Sequence, residues 1–493
     1  MSQLPHNLYT AQQVRELDRV AIEERGIAGA VLMERAGAAA FAVLRETWPQ
    51  AARIAVLCGV GNNGGDGFVV ARLAREAKLE VQVFQLGDAT RIAGDAFTAA
   101  QRLSEAGVSA EPWGDQQLAG FDLVVDGMLG TGLSGEVREP WRGAIDAVNA
   151  AGTPVLALDI PSGLDADRGA VLGAAVRANA TLTFIGAKQG MLTGAGPDCC
   201  GDLHFDDLQV PQETYTACTP SAQRLDYTTL APRLAPRARG AHKGHFGHVL
   251  VIGGEAGYTG AARMAGEAAA RSGAGLVSIA TRAAHAAALN ATRPELMCHG
   301  VESARDLTPL LGRASVIAIG PGLGRSSWAR TLLAAALECH CPLVVDADAL
   351  NLLADEPARR DNWVLTPHPG EAARLLGQSA AEVQADRFAA VRALHERFGG
   401  VAVLKGAGTL IAQEGSAVRL CNEGNPGLAS GGTGDVLTGI IAAFVAQGMA
   451  PLAASELAVC LHARAGDEAA AQGGPRGLLA SDLLPWVRRL ANP

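Results

Sequence analysis

The sequence predicts an α/β protein of two domains, each a parallel sheet covered by helices. Three observations carry that reading. Short apolar runs recur between helical stretches, several runs end in glycine or aspartate, and the alternation lapses once before restarting within the 493 residues. Apolar runs this short, bounded by helices, belong to strands buried on both faces. The length also exceeds what one core usually serves.

Composition narrows the class. Apolar residues make up 48% and charged residues 18%, a globular balance that excludes disorder. Sixty glycines beside 4% aromatics imply many tight turns and close backbone approaches. The net charge of −9 leaves no electrostatic footprint for nucleic acid. Arg233, Arg237, Arg239 and Lys243 form a local basic stretch, which reads better as a solvated linker than as a phosphate guide. No window of about 18 residues is apolar and uncharged, so no membrane span is expected. Residues 1–9 carry no signal-peptide pattern. Nine cysteines include Cys199-Cys200 and Cys339-His340-Cys341, neither with zinc-finger spacing. An odd number in a large chain suits a reducing cytosol, so a cytoplasmic protein is expected.

Thr10 followed by Gln13 predicts a capping box opening a helix, with Val14, Leu17, Asp18 and Ile22 at helical spacing. Strands are then predicted at 54–58, 81–86, 123–126, 155–159 and 181–185. The first runs into Gly59-Val60-Gly61-Asn62-Asn63-Gly64-Gly65-Asp66-Gly67 and a helix from Phe68. A glycine turn there is where a doubly wound sheet receives a dinucleotide pyrophosphate. Glycines alone say little, but Asn62, Asn63 and Asp66 add oxygens that an ordinary turn does not need.

Other strand ends carry Asp126 with Gly127-Met128-Leu129-Gly130-Thr131-Gly132, Asp159-Ile160-Pro161-Ser162-Gly163, and Lys188. Carboxyl ends of strands in an open sheet converge on one crevice, so these groups should meet. Each Asp taken alone is equally a turn former or helix cap; together they define a site. Asn63, Asp126 and Ser162 can surround a hard cation with oxygen, which leaves Asp159 and Lys188 as an acid–base pair.

These motifs resemble the NAD(P)H-hydrate epimerase family over most of residues 8–215. The resemblance implies a Rossmann-like fold, interconversion of R and S hydrates of NAD(P)H at nicotinamide C6, and a bound potassium ion. It places Asn62, Asn63, Gly64, Gly65 and Asp66 around the hydrate. It adds Gly130, Thr131, Gly132, Leu133, Ser134, Gly135 and Glu136 from the second loop. It assigns Asn63, Asp126 and Ser162 to potassium, and Asp159 to substrate contact. Lys188 as the partner acid or base is our own addition.

Between about residues 209 and 242 the pattern gives way to Pro, Thr, Ala and Arg. Residues 1–215 and 243–493 are therefore expected as domains, with 216–242 as linker. Beyond it, strands are predicted at 248–252, 276–280, 316–319, 343–346, 363–366 and 401–404, with helices closing the chain over 452–490. Gly320-Pro321-Gly322-Leu323-Gly324, Thr366-Pro367-His368-Pro369-Gly370-Glu371 and Lys405-Gly406-Ala407-Gly408-Thr409 each follow a strand. The last offers a cation and bare N–H groups for phosphate.

Gly431-Gly432-Thr433-Gly434-Asp435 precedes the apolar run 436–445, read as a buried helix. Its N-terminus carries unsatisfied N–H donors and partial positive charge, so Gly432, Thr433 and Gly434 form an anion hole. Asp435 in the first turn can take a proton from a substrate hydroxyl. A base beside an anion hole is the working end of a phosphoryl-transfer site. No segment fits a P-loop.

With Lys243-Gly244-His245-Phe246-Gly247-His248, these motifs are similar to the ADP-dependent NAD(P)H-hydrate dehydratase family of the ribokinase-like superfamily, over about residues 225–490. The resemblance implies an α/β/α sandwich. It places ADP on Lys405, Gly406, Ala407, Gly408, Thr409 and Gly434, with Mg2+, and the hydrate on Ala261, Gly322, His368 and Asp435. Sugar and vitamin kinases of the superfamily carry Asn-x-x-Glu after Thr-Pro. Here His368 replaces the Asn while Glu371 remains, which leans away from such a kinase.

The spacing of His242, His245 and His248 invites a metal, but Lys243 and the glycines between them fit a loop better. Alanine-rich stretches at 261–270 and 283–291 read as packing surfaces. The expected function is repair of hydrated NADH and NADPH (NADHX and NADPHX): epimerisation, then dehydration with conversion of ADP to AMP and phosphate. The alternative is a ribokinase-like small-molecule kinase fused to a non-catalytic dinucleotide-binding module. A homo-oligomer is expected.

Overall fold

The computed structural model describes residues 4–114, 118–291 and 293–493; the first three residues of the segment tested for a signal peptide lie outside it. The chain divides into two compact units between Gln223 and Arg224.

In the first unit, helix Ala11–Arg19 opens on a reciprocal cap. Thr10 Oγ1 accepts from Gln13 N at 3.2 Å, and Gln13 Oε1 accepts from Thr10 N at 3.0 Å. The helix runs into a π-helical turn, Val20–Glu24. One parallel sheet follows, in the order Ala110–Pro112, Glu80–Gln85, Arg53–Cys58, Leu123–Gly127, Val155–Leu158, Ala180–Phe184, Asp202–Asp206. Alternate residues serve opposite faces: Ile54, Val56 and Cys58 join one core, Ala55 and Leu57 another. Strand order reverses between Arg53–Cys58 and Leu123–Gly127, so the loops after these two strands flank the crevice of a doubly wound sheet. Close packing there needs glycine: a Cβ on Gly59 would lie 1.9 Å from the Met128 carbonyl oxygen.

The segment expected as a linker is structured. It carries strand Ala222–Leu225 and helix Tyr227–Leu230, capped by Asp226. Two of its arginines are engaged within the second unit. Arg233 pairs with Glu456 at 2.7 Å, and the Arg237 guanidinium sits 3.6 Å over the Phe246 ring. Both side chains stay exposed, as a solvated stretch requires, while each finds a partner on the surface of the second unit.

The second unit's sheet runs Met297–Gly300, Leu276–Thr281, His248–Ile252, Val316–Ile319, Leu343–Val345, Trp363–Leu365 and Val401–Leu404 in parallel. Thr409–Ala412 and Val418–Cys421 extend it antiparallel. Helix Thr433–Ala446 is buried from Val436 to Val445. It packs on helix Thr259–Arg271, whose Ala262, Ala265, Ala268 and Ala269 are fully buried. A Cβ on Gly439 would lie 2.1 Å from the Ala265 carbonyl oxygen, so glycine sets the closeness of that contact. Among the described residues no helix is long and apolar enough to cross a membrane.

Candidate active sites

In the first unit a cavity of about 530 Å³ opens at the crevice between the two glycine-rich loops. Asn62, Asn63 and Asp66 line it from helix Asn62–Glu76, and Gly130, Thr131, Gly132, Leu133 and Ser134 from the loop after Leu123–Gly127. Asp159 lines it from the end of strand Val155–Leu158. Gly64 and Gly65 lie behind that lining: a Cβ on Gly64 would meet the Gly59 carbonyl at 2.0 Å, and one on Gly65 the Met33 thioether at 2.6 Å. Gly135 and Glu136 are exposed and are not among the residues that line the cavity.

Asp126 is wholly buried. Its Oδ2 accepts from Ser162 N at 2.8 Å, and its Oδ1 from Ser162 Oγ at 2.6 Å and Met128 N at 3.2 Å. Burial pushes its carboxyl up to about 6 against the pull of these bonds. Asn63 packs against Gly127 and Gly130, on the loop Asp126 begins, and neither its Oδ1 nor its Nδ2 has a partner. A buried carboxylate held only by hydrogen bonds, beside an orphaned amide oxygen, is a donor set for a hard cation.

Asp159 holds φ at +65°, a strained conformation for a side chain of its kind. Its Oδ1 is bonded to Lys188 Nζ. Lys188 is completely buried; its ammonium also donates to Thr183 Oγ1 at 2.8 Å and to the Phe184 carbonyl at 3.4 Å. Lys188 is thus joined to Asp159 as expected, but it stands behind Asp159 and does not line the cavity. Asp66 is pushed well above the usual carboxylate range by burial, then by the charges of Asp159 and Asp18.

In the second unit the site gathers where the strands end. Asp346, 1% exposed, follows Leu343–Val345. Its Oδ1 accepts from Lys405 Nζ at 2.8 Å, and its Oδ2 from Thr438 Oγ1 at 2.8 Å. Burial would raise this carboxyl, but the Lys405 charge and the bonds from Lys405, Thr438 and Thr366 outweigh it and hold it low. Lys405 Nζ is also 4.0 Å from Glu371 Oε2. A Cβ on Gly434 would lie 3.2 Å from that ammonium, so the start of helix Thr433–Ala446 faces the same charges.

No side chain caps that helix, so its first N–H groups stay available for an anion. Gly432 turns into it at φ +95°, and the Thr433 hydroxyl donates to the Leu428 carbonyl at 2.8 Å. Asp435 is pushed up to about 7, by burial and then by Asp346, with Lys405 opposing. A carboxyl titrating near neutrality suits general base work.

His368 is itself a helix cap. Its Nδ1 accepts from Gly370 N at 3.0 Å and Glu371 N at 3.4 Å, while Glu371 Oε2 accepts from His368 N at 2.8 Å. Burial, then Lys405, holds the imidazole below its ordinary value and so neutral. Gly322 and Ala261 come together: a Cβ on Gly322 would lie 3.2 Å from that of Ala261. The loop of Lys405, Gly406, Ala407, Gly408 and Thr409 is shaped by the fully buried Arg387, which donates to the carbonyls of Leu404, Lys405 and Gly408.

Sequence reasoning missed Asp346, Thr438 and Arg387 here, and Asp18 and Arg15 in the first cavity. Asp346 was visible as a strand-ending carboxylate. His242, His245 and His248 do not converge: the first two stack at 3.7 Å, and His248 Nε2 pairs with Ser278 Oγ at 2.9 Å.

A doubly wound unit with an acidic cavity, joined to a unit that pairs an uncapped helix with a buried base, defines a two-site enzyme acting on nucleotides. Residues 29–190 match the model for YjeF-related protein N-termini, and residues 249–489 the model for NAD(P)H-hydrate dehydratase. The chain is 51% identical over 486 residues to a bifunctional NAD(P)H-hydrate repair enzyme of Coxiella burnetii, covering 99% of each chain. It is 44% identical to that of Escherichia coli, covering 99% of this chain and 95% of the other. A ribokinase-like superfamily protein of Enterococcus faecalis superposes with a TM-score of 0.52 at 32% identity, covering 56% of this chain and 99% of the other. The chain belongs to the family of bifunctional NAD(P)H-hydrate repair enzymes, with an epimerase half and an ADP-dependent dehydratase half.

Proposed function

We propose that residues 1–215 epimerise the hydrates of NADH and NADPH and that residues 243–493 dehydrate the S form at the expense of ADP. The observation that carries the second half is Asp435 in the first turn of an uncapped helix, beside the Lys405–Asp346 pair. Asp435 takes the proton of the C6 hydroxyl, whose oxygen attacks the terminal phosphorus of ADP. AMP leaves, and the N–H groups of Gly432, Thr433 and Gly434 hold the transferring phosphoryl. Phosphate is a far better leaving group than hydroxide; the ring nitrogen lone pair expels it, and loss of the C5 proton restores the reduced nicotinamide.

Lys405 and its glycine loop would carry the nucleotide phosphates, while Gly322, Ala261 and neutral His368 would face the hydrate. Magnesium would travel with the phosphates and neutralise their charge; Asp346 is already occupied by Lys405 and Thr438, which leaves Glu371 as the carboxylate nearby. In the first half, Asn63, Asp126 and Ser162 would hold potassium, which supplies the counter-charge Asp126 lacks. Lys188 acts through Asp159, fixing its orientation. Spontaneous hydration yields both epimers, so an epimerase beside a stereospecific dehydratase permits complete recovery. We place this activity in the cytoplasm and in a homo-oligomer.

Product analysis tests the reading. Hydrated NADH with ADP should yield NADH, AMP and free phosphate; a stable phosphorylated product would assign the second half to the small-molecule kinases instead.

A further inference from the structure

Inverting C6 without oxidation needs two proton-handling groups. The C6–O bond breaks with the ring nitrogen pushing electrons in, an acid protonates the departing oxygen to water, and a planar iminium remains. Water then adds to the opposite face and gives its proton to a base. Acid and base end with exchanged protonation, which the reverse turnover or exchange with solvent restores. Asp159 is one such group. Lys188 cannot be the other, since its ammonium is buried and bonded to Asp159, Thr183 and the Phe184 carbonyl.

We propose that Asp18 is the second catalytic carboxyl of the epimerisation, acting on the C6 oxygen from the helix wall of the cavity while Asp159 acts from the sheet end. This rests on the epimerase reading above. Asp18 stands in the stripe Val14, Arg15, Asp18, Ile22 that helix Ala11–Arg19 and the turn after it present to the cavity. Among the described residues no donor is bonded to its carboxyl, although most of it is withdrawn from water. The helix changes to π geometry two residues later, with Arg25 N donating to the Val20 carbonyl at 3.0 Å, a distortion that recurs at functional sites.

The two carboxyls are also unlike. Asp159 is ion-paired with Lys188, whereas Asp18 is pushed up to about 6 by burial and then by the Asp159 charge, with Lys188 opposing. Carboxyls held in different environments are how one site keeps an acid and a base at the same pH.

The test uses the full chain and purified R-hydrate of NADH, with epimers separated by chromatography. Asp18→Asn should slow R-to-S conversion by about 10²-fold or more. Dehydration of S-hydrate with ADP, and the thermal shift given by potassium chloride, should not move. Asp18→Glu, which keeps the carboxyl, should recover most of the lost rate. In water carrying heavy oxygen, the wild type should take up one label at C6 per inversion. Wild-type turnover in Asp18→Asn, no recovery in Asp18→Glu, or inversion that retains the C6 oxygen would overturn the assignment. A wild-type chain that inverts nothing would instead sink the epimerase reading itself.

Discussion

Lys405 Nζ donates to Asp346 Oδ1 at 2.8 Å and stands 4.0 Å from Glu371 Oε2, so one ammonium serves two buried carboxyls. It also faces the first turn of the helix that bears Asp435. The pair therefore has a structural duty, holding the strand ends together, and under the proposed function it would also set the charge that a nucleotide phosphate meets.

Removing that cation should unfold more than it disarms. Lys405→Met leaves Asp346 buried and uncompensated, a change that costs about 3–5 kcal/mol in comparable pairs. Chemical denaturation should show the loss. The folded Asp346 carboxyl lies below its ordinary value, so its stabilisation is present above its unfolded pKa, near 4, and disappears as pH falls through the lower folded value. The gap between wild type and variant should therefore hold at neutral pH and close only in acid.

Asp435 predicts a pH profile. A base pushed up to about 7 is protonated and idle below that value and ionised above it. Dehydratase turnover should rise through about pH 7 and level off, which a pH–rate series on S-hydrate would show. Asp435→Asn should lose roughly 10²–10⁴-fold in turnover and the rising limb with it, while ADP binding by calorimetry persists.

Asp126 and Asn63 predict a potassium requirement confined to the first half. Any ion that binds the folded state alone raises its melting temperature with concentration. Potassium chloride should give that shift and support epimerisation; Asp126→Asn should abolish both and leave dehydration of S-hydrate untouched. A potassium-dependent shift that survives in Asp126→Asn would count against the cradle.

How much of this was legible in the sequence depended on burial. Strands at 248–252, 316–319 and 401–404 are where the apolar runs placed them, because strands covered on both faces read as unbroken apolar sequence. Ala110–Pro112, Asp202–Asp206 and Met297–Gly300 passed unnoticed: none is buried along its length, and each lies at the edge of its sheet. Loops rich in glycine announced the two sites. Asp18 did not announce itself, since between Val14 and Ile22 it reads as one more position on a helical face. Only the fold aims that face at Asp159.

His368 separates capping from recognition. Asn is among the best N-caps, so His368→Asn should keep the melting temperature close to wild type, whereas His368→Ala should cost about 1 kcal/mol. Both should raise KM for the hydrate without changing ADP affinity, if the half-exposed imidazole contacts the nicotinamide. Steady-state kinetics with each substrate varied in turn decides it.

The central claim is that this one chain returns both hydrate epimers to intact coenzyme through phosphorylation of an alcohol. Mixed epimers of hydrated NADH, incubated with the protein, ADP, magnesium and potassium, should regain the absorbance of reduced nicotinamide completely, with one AMP and one phosphate released per molecule restored. An absorbance that stays flat, or a phosphorylated hydrate that accumulates while phosphate does not, would contradict it.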